Sequence, residues 1–453
     1  MTHTTMTPFR IKVVEPIKIT TTEERKEALK EARYNVFSLP AELCYIDLLT
    51  DSGACAMSTN QWAAMITADE SYAGSRSWFH FENTLKAITR KKHIFPVHQG
   101  RAAESLLMQS RVKPNDVIPS NCHFDTTRAN IEFVGAKAID LVINDGLDPH
   151  KEIPFKGNMD VQQLEQCIQQ YGKERIPFCM LTITNNNNGG QPVSMENIKA
   201  IKSTLIKYGI PLVIDACRFA ENAYFIRERE SGYANKSLIE IAQTLFSYAD
   251  AAMMSCKKDG LVNMGGFFVC DSESWAEDYC NLLILREGFR TYGGLASRDL
   301  NAIAVGLMES LNYDYQKYHH QMIHYAADRL SAAGIPLVKP FGGHAIFLNA
   351  SEFLSHLYKD QLPAIALVNA LYLEGGIRTT AMGYTQKDCK KCVSAELTRL
   401  CFPQRAYMQN HLDYVIEIIL ALWEKRAQLP GYRVSQQHGK LLQYFRCEYE
   451  QIW

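Results

Sequence analysis

The sequence lacks most of the features that would mark a membrane, secreted or nucleic-acid-binding protein. Its 48 Lys and Arg against 49 Asp and Glu leave a net charge of -1, so no strong field draws nucleic acid or an anionic membrane as partner. No apolar run approaches the ~20 residues that span a bilayer. The apolar stretch from Tyr414 to Trp423 reads as a helix buried in a domain. The start, Met1-Thr2-His3-Thr4-Thr5-Met6, has neither the basic nor the apolar region of a signal peptide. Thirteen cysteines, an odd number without secretory spacing, read as thiols in a reducing compartment, and a cytoplasmic protein is expected. Cys389-Lys390-Lys391-Cys392 has the spacing of a zinc or redox half-site, but no second Cys or His pair accompanies it. Internal repeats, low-complexity tracts and charge blocks are absent.

What is present is an ordinary globular composition, 47% hydrophobic and 21% charged over 453 residues, long enough for two domains. The central stretch is Asp250-Ala251-Ala252-Met253-Met254-Ser255-Cys256-Lys257-Lys258-Asp259. A short apolar run reads as a buried strand and delivers two adjacent lysines into a polar loop, the place where α/β enzymes keep their chemistry. Neighbouring ammonium groups repel, so at least one of Lys257 and Lys258 is expected to titrate low, and a neutral amine suits covalent attachment to an aldehyde.

Similar strand-to-loop junctions lie upstream, from Pro177 to Thr184 and from Ile210 to Asp215. Between them Ser194 caps a segment with Ile198, Ile201 and Leu205 at helical spacing, and Gly209 stops it. A strand, helix, strand unit of this kind brings Asn186 and Asp215 to one edge of a parallel sheet. A carboxylate, an amide and a lysine converging there suit pyridoxal phosphate, with Asp215 on the pyridine nitrogen and Asn186 or Arg218 on the ring hydroxyl.

Taken in order, the chain opens with an extended arm from Pro8 to Ile17 and a charged helix from about Thr22 to Ala32. An apolar run then ends in the oxygen-rich cluster Thr50-Asp51-Ser52-Gly53, and the polar segment Asp69 to Arg76 offers Tyr72 as a positioned proton donor. His93 to Glu104 reads as a strand, a tight turn at Gly100 and a helix start, where backbone N–H groups and Arg101 form an anion site. Phe124 is a candidate aromatic plate for a cofactor ring.

Several stretches are long and peculiar: Ile46 to Gly53, His98-Gln99-Gly100-Arg101, Gly189 to Ser194, Arg218 to Ile226, Ser255 with Lys257-Lys258-Asp259, and Thr291 to Leu295. They resemble the β-eliminating lyases, the tryptophanase and tyrosine phenol-lyase group of fold-type-I pyridoxal-phosphate enzymes. The resemblance implies an α/β, aspartate-aminotransferase-like large domain with a mixed, mostly parallel sheet and a smaller α+β domain. The expected division is residues 1–56 as arm and part of the small domain, 57–310 as the cofactor domain and 311–453 as the small C-terminal domain. It also implies that Lys258 bears the cofactor, that Gln99, Gly100, Arg101, Ser255 and Lys257 surround the phosphate, and that Phe124 stacks on the ring, with Asn186, Asp215 and Arg218 as polar contacts. Arg399 corresponds to the arginine that grips the substrate carboxylate and Tyr72 to the general acid. Gly53, Glu70 and Asn263 correspond to positions that hold a monovalent cation, usually potassium. A homotetramer with active sites at dimer interfaces is implied as well.

On substrate, the resemblance divides. In the phenol-lyase branch a threonine stands at the position of Asp125 and an arginine at that of Met382, so tyrosine is disfavoured. Asp125, the Arg218 to Ile226 stretch and Glu287-Gly288-Phe289 look like tryptophanase. Thr50, Phe289, Met382, Tyr444 and Phe445 complete the expected substrate wall, with an apolar Met382 against Phe289 and Phe445 suiting a flat aromatic leaving group. Tyr444 departs from the pattern, standing where tryptophanase has a histidine. The expected reaction is β-elimination of an aromatic L-amino acid, tryptophan first; tyrosine, another β-substituted alanine such as an S-substituted cysteine, and transamination on the same scaffold are the alternatives.

Overall fold

Short apolar segments alternate with capped helices through the middle of the chain, and in the computed structural model, which describes residues 6–382, 396–438 and 442–452, they assemble into a layered α/β architecture. The chain forms two compact units, one of Met1–Asp51, Leu147–Glu152 and Tyr318–Trp453, the other of Ser52–Gly146 and Ile153–Lys317.

The unit built from Ser52–Gly146 and Ile153–Lys317 contains strands β1 (His93–Val97), β2 (Val117–Ser120), β3 (Lys137–Asp140), β4 (Cys179–Thr182), β5 (Leu212–Asp215), β6 (Ala251–Ser255) and β7 (Gly266–Cys270). Its five-stranded sheet runs in the order β1-β7-β6-β5-β4. β4, β5 and β6 are parallel, whereas β7 is antiparallel to both of its neighbours. The strands from β4 to β7 are buried along their whole length, as expected of a sheet covered on both faces and built from near-continuous apolar runs. β2 and β3 form a separate parallel pair. Asn121, just past β2, ties that pair to β4 by donating Nδ2 to the Thr182 carbonyl (2.8 Å) and accepting the Thr182 amide (2.9 Å).

The helices that matter for the site are α1 (Gly100–Arg111), α2 (Asp125–Phe133), α3 (Met195–Tyr208) and α4 (Phe219–Arg229). α3 is bounded as its sequence predicts. Ser194 accepts the Asn197 amide at 3.1 Å, and Gly209 closes the helix at φ 68°, where a side chain is strained. Its Ile198, Ile201 and Leu205 are buried in the core beside Ile214 of β5, each such burial contributing about 1.5–3 kcal/mol.

The other unit carries a three-stranded antiparallel sheet with Leu397–Cys401 between Thr380–Met382 and Ala345–Asn349. Ile46–Asp47 pairs in parallel with Ile377–Arg378, and Tyr432–Gln436 pairs with Glu448–Gln451. Helices Thr22–Glu31, Pro363–Gly375 and Gln409–Glu424 contribute to its core. Pro8 to Ile17, expected to be extended, form no regular secondary structure. Among the described residues no helix is long and apolar enough to cross a membrane. Cys389 and Cys392 lie outside the described residues.

Candidate active site

The register of the parallel strands, with Thr182 opposite Asp215 and Asp215 opposite Met253, brings the ends of β4, β5 and β6 to one edge. Asp215 closes β5 and is buried; one of its carboxylate oxygens accepts the Cys217 amide at 3.2 Å. Four residues past β4, Asn186 opens a short 3-10 turn and is also buried, as is Arg218 at the entrance to α4. The strand, helix, strand unit thus runs the chain into Asn186 past one strand end and into Asp215 at its parallel neighbour's end.

Lys257 and Lys258 follow β6 in a short connection to β7 that is fixed at several points. The Lys257 carbonyl accepts the Gly53 amide (2.8 Å), the Lys258 carbonyl accepts the Leu261 amide (2.9 Å), and Cys256 donates its amide to Gly265 (3.0 Å). Asp259 is wholly buried and accepts the amides of Ala220 (2.7 Å) and Glu221 (3.2 Å). It thereby caps α4, which has no side-chain cap at Arg218. The residue beside the lysine pair thus welds the lysine loop to the helix that follows Asp215. Burial, then the charges of Lys258 and Arg101, hold the Lys257 ammonium below the usual lysine range.

At the end of β1, Gln99 is extended and α1 begins at Gly100 with no side-chain cap, which leaves helix N-terminal amides as an anion site next to Arg101. Gly100 is not the tight turn that the sequence suggests. It is the first residue of the helix, and its role is close approach: a Cβ there would lie 2.5 Å from the Ser255 Cβ and 2.9 Å from its Cα. Immediately before it, Glu287 accepts hydrogen bonds from the His98 amide (3.1 Å) and pairs with the His98 ring.

Phe124 is the N-cap residue of α2 and Asp125 its first residue. Asn187 donates to both the His123 carbonyl and the Asp125 carboxylate at 2.9 Å, tying the turn that bears Phe124 to the turn that bears Asn186. Tyr72 is exposed, stacks on Phe289 at 5.9 Å and meets Tyr292 edge-on at 5.3 Å. A hydrogen bond with Tyr292 raises its pKa above the usual phenol value. Of the three cation candidates, the Gly53 carbonyl accepts the Asn263 side-chain amide at 2.8 Å. The Glu70 carboxylate receives instead the amides of Ser297 and Arg298 at 3.1 and 3.4 Å.

The remaining candidates belong to the other unit. Arg399 sits mid-strand opposite Thr380 and Phe347. It donates Nη2 to the Leu49 carbonyl (2.8 Å), beside Thr50, while its buried Nε has no partner among the described residues. Met382 packs on the small cluster of Val338, Ala345, Phe347, Leu397 and Cys401. Phe445 packs instead on Phe37 (4.8 Å) and Tyr444 (4.2 Å). Tyr444 lines a small cavity with Phe37, Thr380 and Ala381.

Residues 47–418 match the family model described as beta-eliminating lyase. The chain belongs to this family. It is 49% identical over 443 residues to a tryptophanase of Salinibacter ruber, covering 97% of this chain and 94% of that one. It is 43% identical over 449 residues to a tyrosine phenol-lyase of Pasteurella multocida, covering 98% of each. Among solved structures, Leishmania major threonine aldolase superposes with a TM-score of 0.60 at 14% identity, over 83% of this chain and 99% of that one, a likeness of fold. The resemblance read from the motifs is thus confirmed, and the β-eliminating lyase is pyridoxal-phosphate-dependent. The donor set fits that cofactor: uncapped helix amides with Arg101 and Lys257 for a phosphate, a buried carboxylate for a ring nitrogen, and an amine for an aldehyde.

Proposed function

We propose that this lyase cleaves L-tryptophan to indole, pyruvate and ammonia, with Lys258 as the covalent anchor of the cofactor and the base that removes the α-proton. The observation that carries the reading is the tethering of Lys258 and Asp215 to one another's surroundings through the Asp259 cap on α4. When bound, pyridoxal phosphate supplies an electron sink for the pair left on Cα as its proton departs. Gln99, Gly100, Arg101, Ser255 and Lys257 would hold its phosphate, Phe124 would pack on its ring, Asp215 would keep the ring nitrogen protonated, and Asn186 and Arg218 would contact its hydroxyl. Arg399 takes the substrate carboxylate, and its buried Nε supports that role. Tyr72 protonates the leaving group; the hydrogen bond it donates to Tyr292 favours the protonated phenol that an acid requires.

We assign selection of the side chain to Asp125 and Phe289 in one unit and to Thr50, Met382, Tyr444 and Phe445 in the other. Support for an aromatic leaving group comes from the packed rings of Phe37, Tyr444 and Phe445, and the relatives' names favour tryptophan or tyrosine. The thioether of Met382 cannot neutralise a phenolate, which favours tryptophan over tyrosine. Gly53, Glu70 and Asn263 offer oxygen ligands suited to potassium. The protein works in the cytoplasm as a homotetramer with active sites at dimer interfaces, a reading supported by the exposed aromatic surface of Tyr72 and by thirteen cysteines without secretory spacing. Pyruvate release from a panel of L-tryptophan, L-tyrosine, S-alkylcysteines and L-serine tests the proposal. Tryptophan is expected to lead; fast tyrosine cleavage, or no pyruvate from any member, overturns it.

A further inference from the structure

Glu104 lies one turn beyond Arg101 on α1, and unlike most glutamates it is buried, with 6% of its surface exposed. Its carboxylate accepts the hydroxyls of Thr126 (2.8 Å) and Thr127 (3.0 Å) and the Asn130 amide (3.3 Å). All three donors belong to α2, Thr126 and Thr127 in its first turn, the helix whose N-cap is Phe124 and which has no side-chain cap of its own. Glu104 therefore holds the first turn of α2 from beneath, as Asn187 holds it from the side.

The charges acting on Glu104 come from the same edge of the sheet: Asp215 at the end of β5, which opposes its ionisation, and Lys258 beyond β6, which favours it. Burial first, and then the Asp215 charge, push the Glu104 carboxyl up to about 7. A cation placed against Asp215 offsets the repulsion between the two carboxylates and favours the ionised form of Glu104.

We propose that Glu104 is a positioning residue of the cofactor site: it holds the turn bearing Phe124, and it gives up a proton to solvent as a cationic ring nitrogen comes to lie against Asp215. This rests on the cofactor placement proposed above. Because the free site binds the Glu104 proton more tightly than the loaded one, cofactor affinity gains from rising pH around neutrality.

The test is titration of the cofactor-free protein with pyridoxal phosphate between pH 6 and 8, followed by the absorbance of the bound form. The ligand's own titrations are common to every variant and cancel in the comparison. Relative to Glu104→Gln, the native protein is expected to gain about fivefold more affinity across this range if ring binding lowers the Glu104 pKa by about one unit. The double variant Thr126→Val with Thr127→Val is expected to bind several-fold more weakly at every pH and, because both hydroxyls favour the ionised Glu104, to show its pH dependence displaced to higher pH. Equal slopes in native and Glu104→Gln proteins, or native affinity in the double-valine protein, overturn the proposal. Should Glu104→Gln not fold, the double-valine protein decides alone. A native protein that fails to bind pyridoxal phosphate refutes the placement of the cofactor, an outcome distinct from native binding with an unchanged slope.

Discussion

The two adjacent lysines differ in what surrounds them, and that difference separates their roles. Lys257 lies under the charges of Lys258 and Arg101, which suits an anion contact, while Lys258 is followed directly by the aspartate that caps α4. Lys258→Ala is expected to lower kcat by about 10³-fold or more through loss of the base, with some cofactor still bound; normal turnover by this variant would show that Lys258 is not the base. A second residue-level test concerns pH. The Tyr292 bond raises the Tyr72 pKa, so Tyr292→Phe lowers it, and the acid is lost at a lower pH. The alkaline limb of kcat is expected to move down in this variant; an unmoved limb would remove Tyr72 as the group responsible. Lys258, Asp215 and Asn186 could be singled out as candidates because each follows an apolar run that ends abruptly. Glu104 and Asn187 were not: their partners, Thr126, Thr127 and Asp125, arrive from elements distant in sequence, and no local pattern announces such a bond.

At the scale of elements, the start of α1 and the end of β6 approach so closely that no side chain fits between them at Gly100. A methyl group on Gly100 meets the backbone of Ser255, which cannot rotate away. Gly100→Ala is expected to weaken pyridoxal phosphate binding at least about tenfold, since displacing the helix start moves the amides proposed to hold the phosphate; an unchanged dissociation constant on titration would contradict this. Secondary structure was readable where caps and periodicity agreed. Ser194 and Gly209 bound α3 as predicted. Gly100 shows where such reading stops, because a glycine selected for a turn and one selected for a neighbour 2.5 Å from its missing Cβ look the same in sequence. The antiparallel insertion of β7 between β1 and β6 is likewise a fact of pairing that no single strand encodes.

For the whole molecule, the family motifs made the fold class and the chemistry legible, since they run through most of the chain. The substrate was less so, because Tyr444 and Met382 owe their surroundings to segments remote in sequence, as the packing of Met382 on Val338 and Phe347 illustrates. The potassium proposal is testable at this scale: activity is expected to be higher in potassium than in sodium at equal ionic strength, and identical rates in the two salts would exclude a selective site at Gly53, Glu70 and Asn263. A different consequence follows from the parallel pairing of Ile46–Asp47 with Ile377–Arg378. These partners are separated by roughly 330 residues, which a ribosome adding ~5–20 residues per second needs on the order of 15–70 s to make. Throughout that interval the emerging N-terminal segment has no strand to join, while the β1-β7-β6-β5-β4 sheet is already complete in sequence by Cys270. Ile46 and Leu48, buried in the finished protein, are then exposed on the nascent chain, so this segment is where holding chaperones are expected to engage it and where premature termination downstream leaves a sticky, unpaired edge.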